Sequence, residues 1–204
     1  MTASQPDIGR VFRSLPVVDE EANARLHARL AVAAERERVL DIAYHVIDTP
    51  VGELLLAATD QGLVRVAYAR EGHDSVLAKL AETLSPRILN TPRRLEQVIR
   101  QFEEYFAGRR TAFEVPLDFR LSRGFRRSVL THLAEIGYGH TESYAQVAAA
   151  TGSPKAVRAV GTACATNPLP VVVPCHRVVR SDGSFGGYVG GTEAKHALLT
   201  LEAA

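Results

Sequence analysis

The 204-residue chain reads as an α+β protein: a small N-terminal antiparallel sheet with helices, followed by a mostly helical C-terminal domain containing a helix-turn-helix. Three observations predict this. Ile42–Ile47, Leu54–Ala58 and Leu63–Ala69 are runs of β-formers or apolar residues, separated by the turn signals Thr49-Pro50-Val51-Gly52 and Asp60-Gln61-Gly62. From Ser122 onward the pattern changes to short amphipathic stretches rich in small residues. Within that part, Tyr144–Ala150, the break Thr151-Gly152 and a stretch from Ser153 to Ala165 follow the order helix, glycine-containing turn, helix. On length and turn chemistry alone an ordinary helical hairpin reads the same. The predicted divisions are an extension over 1–40, an N-terminal α/β domain over 41–118 and a C-terminal domain over 119–204.

Taken in order, residues 1–18 mix Pro, Gly, Ser and charge without period and read as a loose tail. Residues 19–40 are rich in Ala, Arg and Glu, with Leu26, Leu30 and Ala33 at helical spacing, and predict a surface helix. After the strands, two helices are expected. The second opens at Thr91-Pro92, as N-cap and first helical position, and carries Leu95, Val98, Ile99, Phe102 and Phe106 on one face before Gly108. Phe125, Val129, Leu133 and Ile136 mark another, ending at Gly137-Tyr138-Gly139. Ser153-Pro154 predicts the start of the last helix of the pair, Ser as N-cap and Pro at the first position. Ala156, Ala159, Val160, Gly161 and Ala163 leave it slim, which suits close packing on another helix and insertion into a nucleic-acid groove equally well.

Composition narrows the class. The chain is 46% hydrophobic and 23% charged, as expected of a globular protein that buries a core. No apolar run approaches the roughly 20 residues of a membrane span, and the acidic N-terminus lacks the apolar segment of a secretory signal. Two cysteines, Cys164 and Cys175, are too few for a disulfide framework and indicate a reducing compartment, the cytoplasm or, in a eukaryote, the nucleus. Net charge is +1, but residues 119–180 hold eight cations against Glu135 and Glu142, a local +6 that leaves −5 elsewhere. Such a segment is what a phosphate backbone attracts, and also what a solvated basic face balanced by acidic neighbours contains.

The most informative stretch is Asn167-Pro168-Leu169-Pro170-Val171-Val172-Val173-Pro174-Cys175-His176-Arg177-Val178-Val179. Its three valines predict a buried strand that Pro174 ends, placing the thiol at the edge of an apolar element. His176 and Arg177 are cationic neighbours of the kind that favour thiolate; a structural buried cysteine is the alternative. Zinc is disfavoured because Cys164, Cys175, His176 and His196 lack metal-ligand spacing, so no metal is expected. A cysteine protease is disfavoured because His132 and His140 have no recognisable context.

Pro174-Cys175-His176-Arg177-Val178 resembles the active-site motif of the O6-alkylguanine-DNA alkyltransferases, the methylated-DNA–protein-cysteine methyltransferases. The resemblance continues through Tyr144, Pro154–Gly161, Asn167-Pro168, Gly187-Tyr188, Gly190-Gly191, Lys195 and Leu198-Leu199 with Leu201-Glu202, all at the family's spacing. It covers about 122–202 strongly and 42–118 only by general pattern.

The resemblance implies DNA repair by direct reversal: a stoichiometric, irreversible transfer of the alkyl group from O6-alkylguanine in duplex DNA to Cys175, with O4-alkylthymine as a second candidate substrate. No cofactor is implied, and the protein is expected to act as a monomer. Residues 119–204 become the DNA-binding and alkyl-transfer domain. Cys175 would be the nucleophile. His176, through a water, would take its proton, and Glu202 would orient the imidazole. Tyr144 would give a proton to the departing guanine, and Tyr188 and Pro170 would wall the base pocket. Carbonyls of Cys175 and Val178 would accept from the guanine amino group, and Asn167 would tie the active-site turn to the recognition helix. Arg158 would fill the space left by a base flipped out through the minor groove. Two departures stand out. Val189 occupies a position usually Ser or Gly, whose amide faces O6, which implies a narrower pocket. Ala165 replaces a basic residue found in some members. Two other readings compete with it. A non-catalytic lesion binder is disfavoured because Cys175 is retained. A redox-sensing helix-turn-helix regulator leaves Tyr144, Asn167 and Glu202 unexplained.

Overall fold

The computed structural model describes residues 19–203; the expectation for the tail 1–18 lies outside them. The chain divides after Arg38 into two compact units. The first contains helix α1, Glu20–Arg36. Asp19 caps it by accepting from the Ala22 amide, Glu20 and Glu21 sit at its positive end and Arg36 at its negative end. It stops short of residue 40 because Arg38 takes a left-handed conformation, φ 53°.

The second unit opens with β1 (Ile42–Ile47), β2 (Leu54–Thr59) and β3 (Gly62–Tyr68), joined as antiparallel neighbours. A fourth strand, β4 (Ile88–Asn90), which the pattern did not mark, adds to the far edge of β1 in parallel, so the sheet order is β3-β2-β1-β4. Helix α2 (His73–Thr83) precedes β4. The Thr91-Pro92 start produces a turn of 3-10 helix over Pro92–Leu95 before α3 (Glu96–Phe106). Every residue of β2 is buried because both faces of the sheet are covered. Leu54, Leu56 and Ala58 pack with Val98, Phe102 and Tyr105 of α3, whereas Leu55 and Ala57 pack with Val64, Ala67 and Leu80 of α2. Alternation along one strand thus serves two clusters, each fully buried leucine contributing about 2 kcal/mol.

The rest of this unit is helical, as expected: α4 (Gly124–Leu133), α5 (Tyr144–Ala150), α6 (Val157–Ala165) and α7 (Thr192–Glu202), with a two-stranded parallel pair of β5 (Glu142–Ser143) and β6 (Val178–Val179). Ser143 caps α5 in a reciprocal pair with Gln146. Gly152, at φ 72°, turns the chain between α5 and α6. One boundary differs from the sequence reading: Ser153-Pro154 does not open α6. Ser153–Ala156 forms a separate turn, closed by the Ala156 amide on the Ser153 carbonyl, and α6 begins at Val157 without a side-chain cap. The sheet half and the helical half join directly: the Val66 amide of β3 donates to the Pro168 carbonyl at 2.8 Å.

Candidate active site

Residues 167–179 are buried without interruption, yet the valine run is not a strand. Val171 sits at φ 72°, a left-handed conformation that a β-branched side chain strongly disfavours, and the Val173 amide closes back on the Leu169 carbonyl at 2.7 Å. The prolines at 168, 170 and 174 explain the departure: they remove three ladder donors and bend the backbone into turns. Cys175 then starts a 3-10 turn, Cys175–Arg177, after Pro174.

Asn167, just past α6, organises this turn. Its Nδ2 donates to the Val173 carbonyl at 2.8 Å and to Cys175 Sγ at 3.1 Å, and its Oδ1 accepts from the Leu169 amide at 2.9 Å. The thiol is buried, and burial pushes its pKa up to about 11, with Asn167 and the nearby Lys195 ammonium pulling only part of the way back. This corrects the sequence expectation that adjacent cations favour thiolate. Arg177 is committed elsewhere and His176 is held neutral, because burial lowers its pKa and outweighs the raising effect of Glu202. Cys164 is also a buried free thiol.

Glu202, near the end of α7, gathers the charged groups. Its Oε1 accepts from His176 Nε2 at 2.8 Å, Arg177 Nη2 at 2.8 Å and the Tyr105 hydroxyl at 2.6 Å. Its Oε2 accepts from Arg177 Nε at 2.8 Å and the Gly139 amide at 3.4 Å. Arg177 Nη1 also donates to the Ile136 carbonyl. Burial alone would raise the carboxyl pKa; the donors, His176 and Arg177 foremost, override it and hold the value at about 2. An ionised Glu202 fixes the proton of neutral His176 on Nε2. That leaves Nδ1, buried and without a hydrogen-bond partner, as the basic nitrogen.

Tyr144 opens α5 and is half-buried. A Cβ on Gly186 would lie 2.2 Å from its hydroxyl, so only glycine permits that approach. Tyr188 is half-buried, with its ring 6.2 Å from that of His176 and its hydroxyl 3.0 Å from that of Tyr68. The Tyr68 ring lies against Gly190, where a Cβ would come within 2.5 Å. Pro170 is buried in the turn, and Val189 packs partly buried against the same core. The Val178 carbonyl, expected to meet the base, is already engaged by Lys195 Nζ at 2.5 Å, because Lys195 is wholly buried and needs an acceptor. Any further donor must share that oxygen's second lone pair.

On α6, Val160, Ala163 and Cys164 face the core, while Arg158, Ala159 and Thr162 face outward. The Arg158 guanidinium makes no hydrogen bond or ion pair among the described residues. Among these same residues no group of three or more His, Cys, Asp or Glu could hold a metal ion, and no helix is long and apolar enough to cross a membrane.

Sequence reasoning assigned no role to Tyr68 or Tyr105, noted Lys195 only within the family pattern, and read Arg177 as a neighbour of the thiol rather than a partner of Glu202. For Lys195 a signal existed. Lys195, Leu198 and Glu202 are spaced i, i+3, i+7, which puts both charged residues on the buried stripe of α7. Tyr105 follows Phe102 by one helical step and reads as plain core.

The chain is similar to known proteins over most of its length. Residues 42–119 match the ribonuclease-like domain, and residues 124–204 the DNA-binding domain, of 6-O-methylguanine DNA methyltransferase. The methylated-DNA–protein-cysteine methyltransferase, constitutive, of Bacillus subtilis is 41% identical over 160 residues, 78% of this chain and 94% of that protein. That of Mycolicibacterium paratuberculosis is 38% identical over 161 residues, covering 79% and 92%. Among solved structures, Mycobacterium tuberculosis OGT in complex with DNA superposes with a TM-score of 0.68 at 37% identity, covering 79% of this chain and 92% of that one.

Proposed function

The chain belongs to the 6-O-methylguanine DNA methyltransferase family, and we propose that it repairs duplex DNA by moving the alkyl group of O6-alkylguanine onto its own Cys175. Methyl transfer and DNA repair come with the family. The observation that carries the finer reading is the triad geometry: a buried thiol held by Asn167, followed by a histidine tied through Nε2 to an ionised Glu202 with Nδ1 free.

A thiol with a pKa of about 11 stays protonated at neutral pH, so its proton must leave as the bond forms. His176 Nδ1, through an intervening water, accepts that proton, and Glu202 stabilises the resulting imidazolium. The sulfur–carbon bond forms as the carbon–O6 bond breaks. The Tyr144 hydroxyl gives a proton to the guanine ring, and the proton on His176 returns to Tyr144. The thiol proton thus ends on the base, and no cofactor is consumed. The thioether has no route back to thiol, so each molecule turns over once.

The base reaches Cys175 only by leaving the stack, at a cost of a few kcal/mol. Arg158, unpartnered on the outer face of α6, fills the space it vacates. The small outer residues Ala159, Gly161 and Ala165 let the helix enter a minor groove only about 6 Å wide. Tyr188, Pro170 and Val189 enclose the flipped base, and the Cys175 carbonyl and the remaining lone pair of Val178 meet its amino group. The protein acts as a cytoplasmic monomer.

Intact-mass measurement after incubation with duplex containing O6-methylguanine tests the reading. The expected result is a gain of one methyl per chain, mapped to Cys175 and absent in Cys175→Ala. A methylated Cys175→Ala, or an unmodified wild-type chain, overturns it.

A further inference from the structure

Tyr105 belongs to α3, in the half of the unit that carries the sheet, and nothing in its spacing distinguishes it from the core residues Val98 and Phe102. Its hydroxyl nevertheless ends on Glu202 Oε1 at 2.6 Å, the same oxygen that accepts from His176 Nε2. We infer that Tyr105 is a positioning residue for the His176–Glu202 pair, its hydroxyl holding Oε1 in place and weakening it as an acceptor so that His176 stays neutral with Nδ1 free. This rests on the alkyl-transfer reading for its consequence, though not for its geometry.

Two features separate this role from plain packing. Arg177 already supplies the countercharge of Glu202, through Nε on Oε2 and Nη2 on Oε1, so Tyr105 is not needed to neutralise a buried carboxylate. It adds a third donor to the one oxygen facing the imidazole. The hydroxyl is also aimed by its ring: Tyr105 lies against Phe106 at 5.3 Å, Phe113 at 5.3 Å and Tyr138 at 6.2 Å between centroids, a cage that leaves the phenol no second direction. Burial raises the pKa of Tyr105 far above its ordinary value, so it remains a donor throughout the working range.

The sign follows. Without the phenol, charge on Oε1 is less shared, the carboxylate attracts the imidazole proton more strongly, and imidazolium persists to higher pH. Imidazolium has no lone pair at Nδ1 and cannot take the thiol proton. The other groups acting on the pair are unchanged: Arg177 and Lys195 as cations, Cys175 and Tyr188 beside His176, and Tyr138 with the Gly139 amide beside Glu202.

The test uses the full chain and Tyr105→Phe, which keeps the ring. Imidazole nitrogen shifts of His176, followed by NMR against pH, read the pair without requiring alkyl transfer. Transfer rates on O6-methylguanine duplex over the same range read the consequence. In Tyr105→Phe the His176 midpoint should rise by roughly half a pH unit, and the acid limb of the rate profile should move with it. That is about a threefold loss on the limb that disappears at higher pH. In a Glu202→Gln background, Tyr105→Phe should produce no further shift of His176. An unmoved His176 midpoint, with a rate either unchanged or reduced equally at every pH, overturns the inference. If the wild-type chain transfers no alkyl group, the alkyl-transfer reading fails, while the His176 titration still decides the role of Tyr105.

Discussion

Two stretches of this protein are buried residue after residue, β2 over Leu54–Thr59 and the turn over 167–179, and they achieve it by different means. In β2 the side chains from Leu54 to Ala58 are apolar, and the backbone is satisfied on both sides by β1 and β3. In the 167–179 segment the ladder is reduced to the two residues of β6, and three prolines lack amide protons. Side chains take over: Asn167 closes the turn, Lys195 caps the Val178 carbonyl, and Glu202 gathers His176 and Arg177. Burial in a sheet costs little specific chemistry. Burial of an irregular segment calls for side-chain partners for its polar groups, and two of those partners here, Asn167 and Glu202, are candidate site residues. Activity and stability are therefore coupled in one stretch and separate in the other.

The largest effects come from removing one partner in each stretch. Glu202→Ala leaves Arg177 charged, buried and unpaired, and should cost about 3–5 kcal/mol in denaturant unfolding, while Leu56→Ala leaves a cavity of about 2–5 kcal/mol. The isosteres separate the two. Leu56→Met should cost less than about 1.5 kcal/mol, whereas Glu202→Gln should lose the transfer reaction even where it folds. An active Glu202→Gln variant breaks the proposed coupling.

Acid should act on one stretch and spare the other, since β2 holds no titratable group. Glu202 titrates at about 2 in the fold against an ordinary 4.5, so its contribution is complete above about 4.5 and is lost as pH falls through 2. At about 1.4 kcal/mol per unit that amounts to about 3 kcal/mol. His176 adds to the same trend from below about 6.5, because the unfolded chain takes up a proton that the fold refuses. Unfolding free energy measured from pH 7 down should fall first through His176 and then, below about 4.5, through Glu202, and Glu202→Gln should flatten that lower part. An unchanged slope would mean that Glu202 is not the group responsible.

A smaller effect sets Val171 against Val66 of β3. Both are buried valines, but Val171 sits at φ 72° and Val66 in an ordinary strand. Each Val→Gly change loses the same side chain. At Val66 glycine adds a backbone entropy cost, and at Val171 it relieves strain. Val171→Gly should therefore be the milder by about 2 kcal/mol. Equal losses would show that the turn carries no strain.

Local sequence determined a good deal. Runs of β-formers or apolar residues and the turn residues between them placed β1 to β3, and helical spacing placed α3 and α4, because each depends on interactions within a few residues. The Pro174–Val178 run marked the nucleophile as a candidate. Three things needed the tertiary structure. The valine run reads as a strand by propensity, yet its three prolines and the Asn167 hydrogen bonds fold it into turns. His176 and Arg177 read as activators of the thiol, yet both are turned to Glu202, and burial decides the pKa of Cys175. Tyr105 and Tyr68 read as core, yet their hydroxyls end on Glu202 and Tyr188, 97 and 120 residues away along the chain. Spacing reports which residues share a face. Which buried polar atom meets which is settled only when distant segments pack, since a desolvated donor accepts whatever acceptor the fold brings within reach.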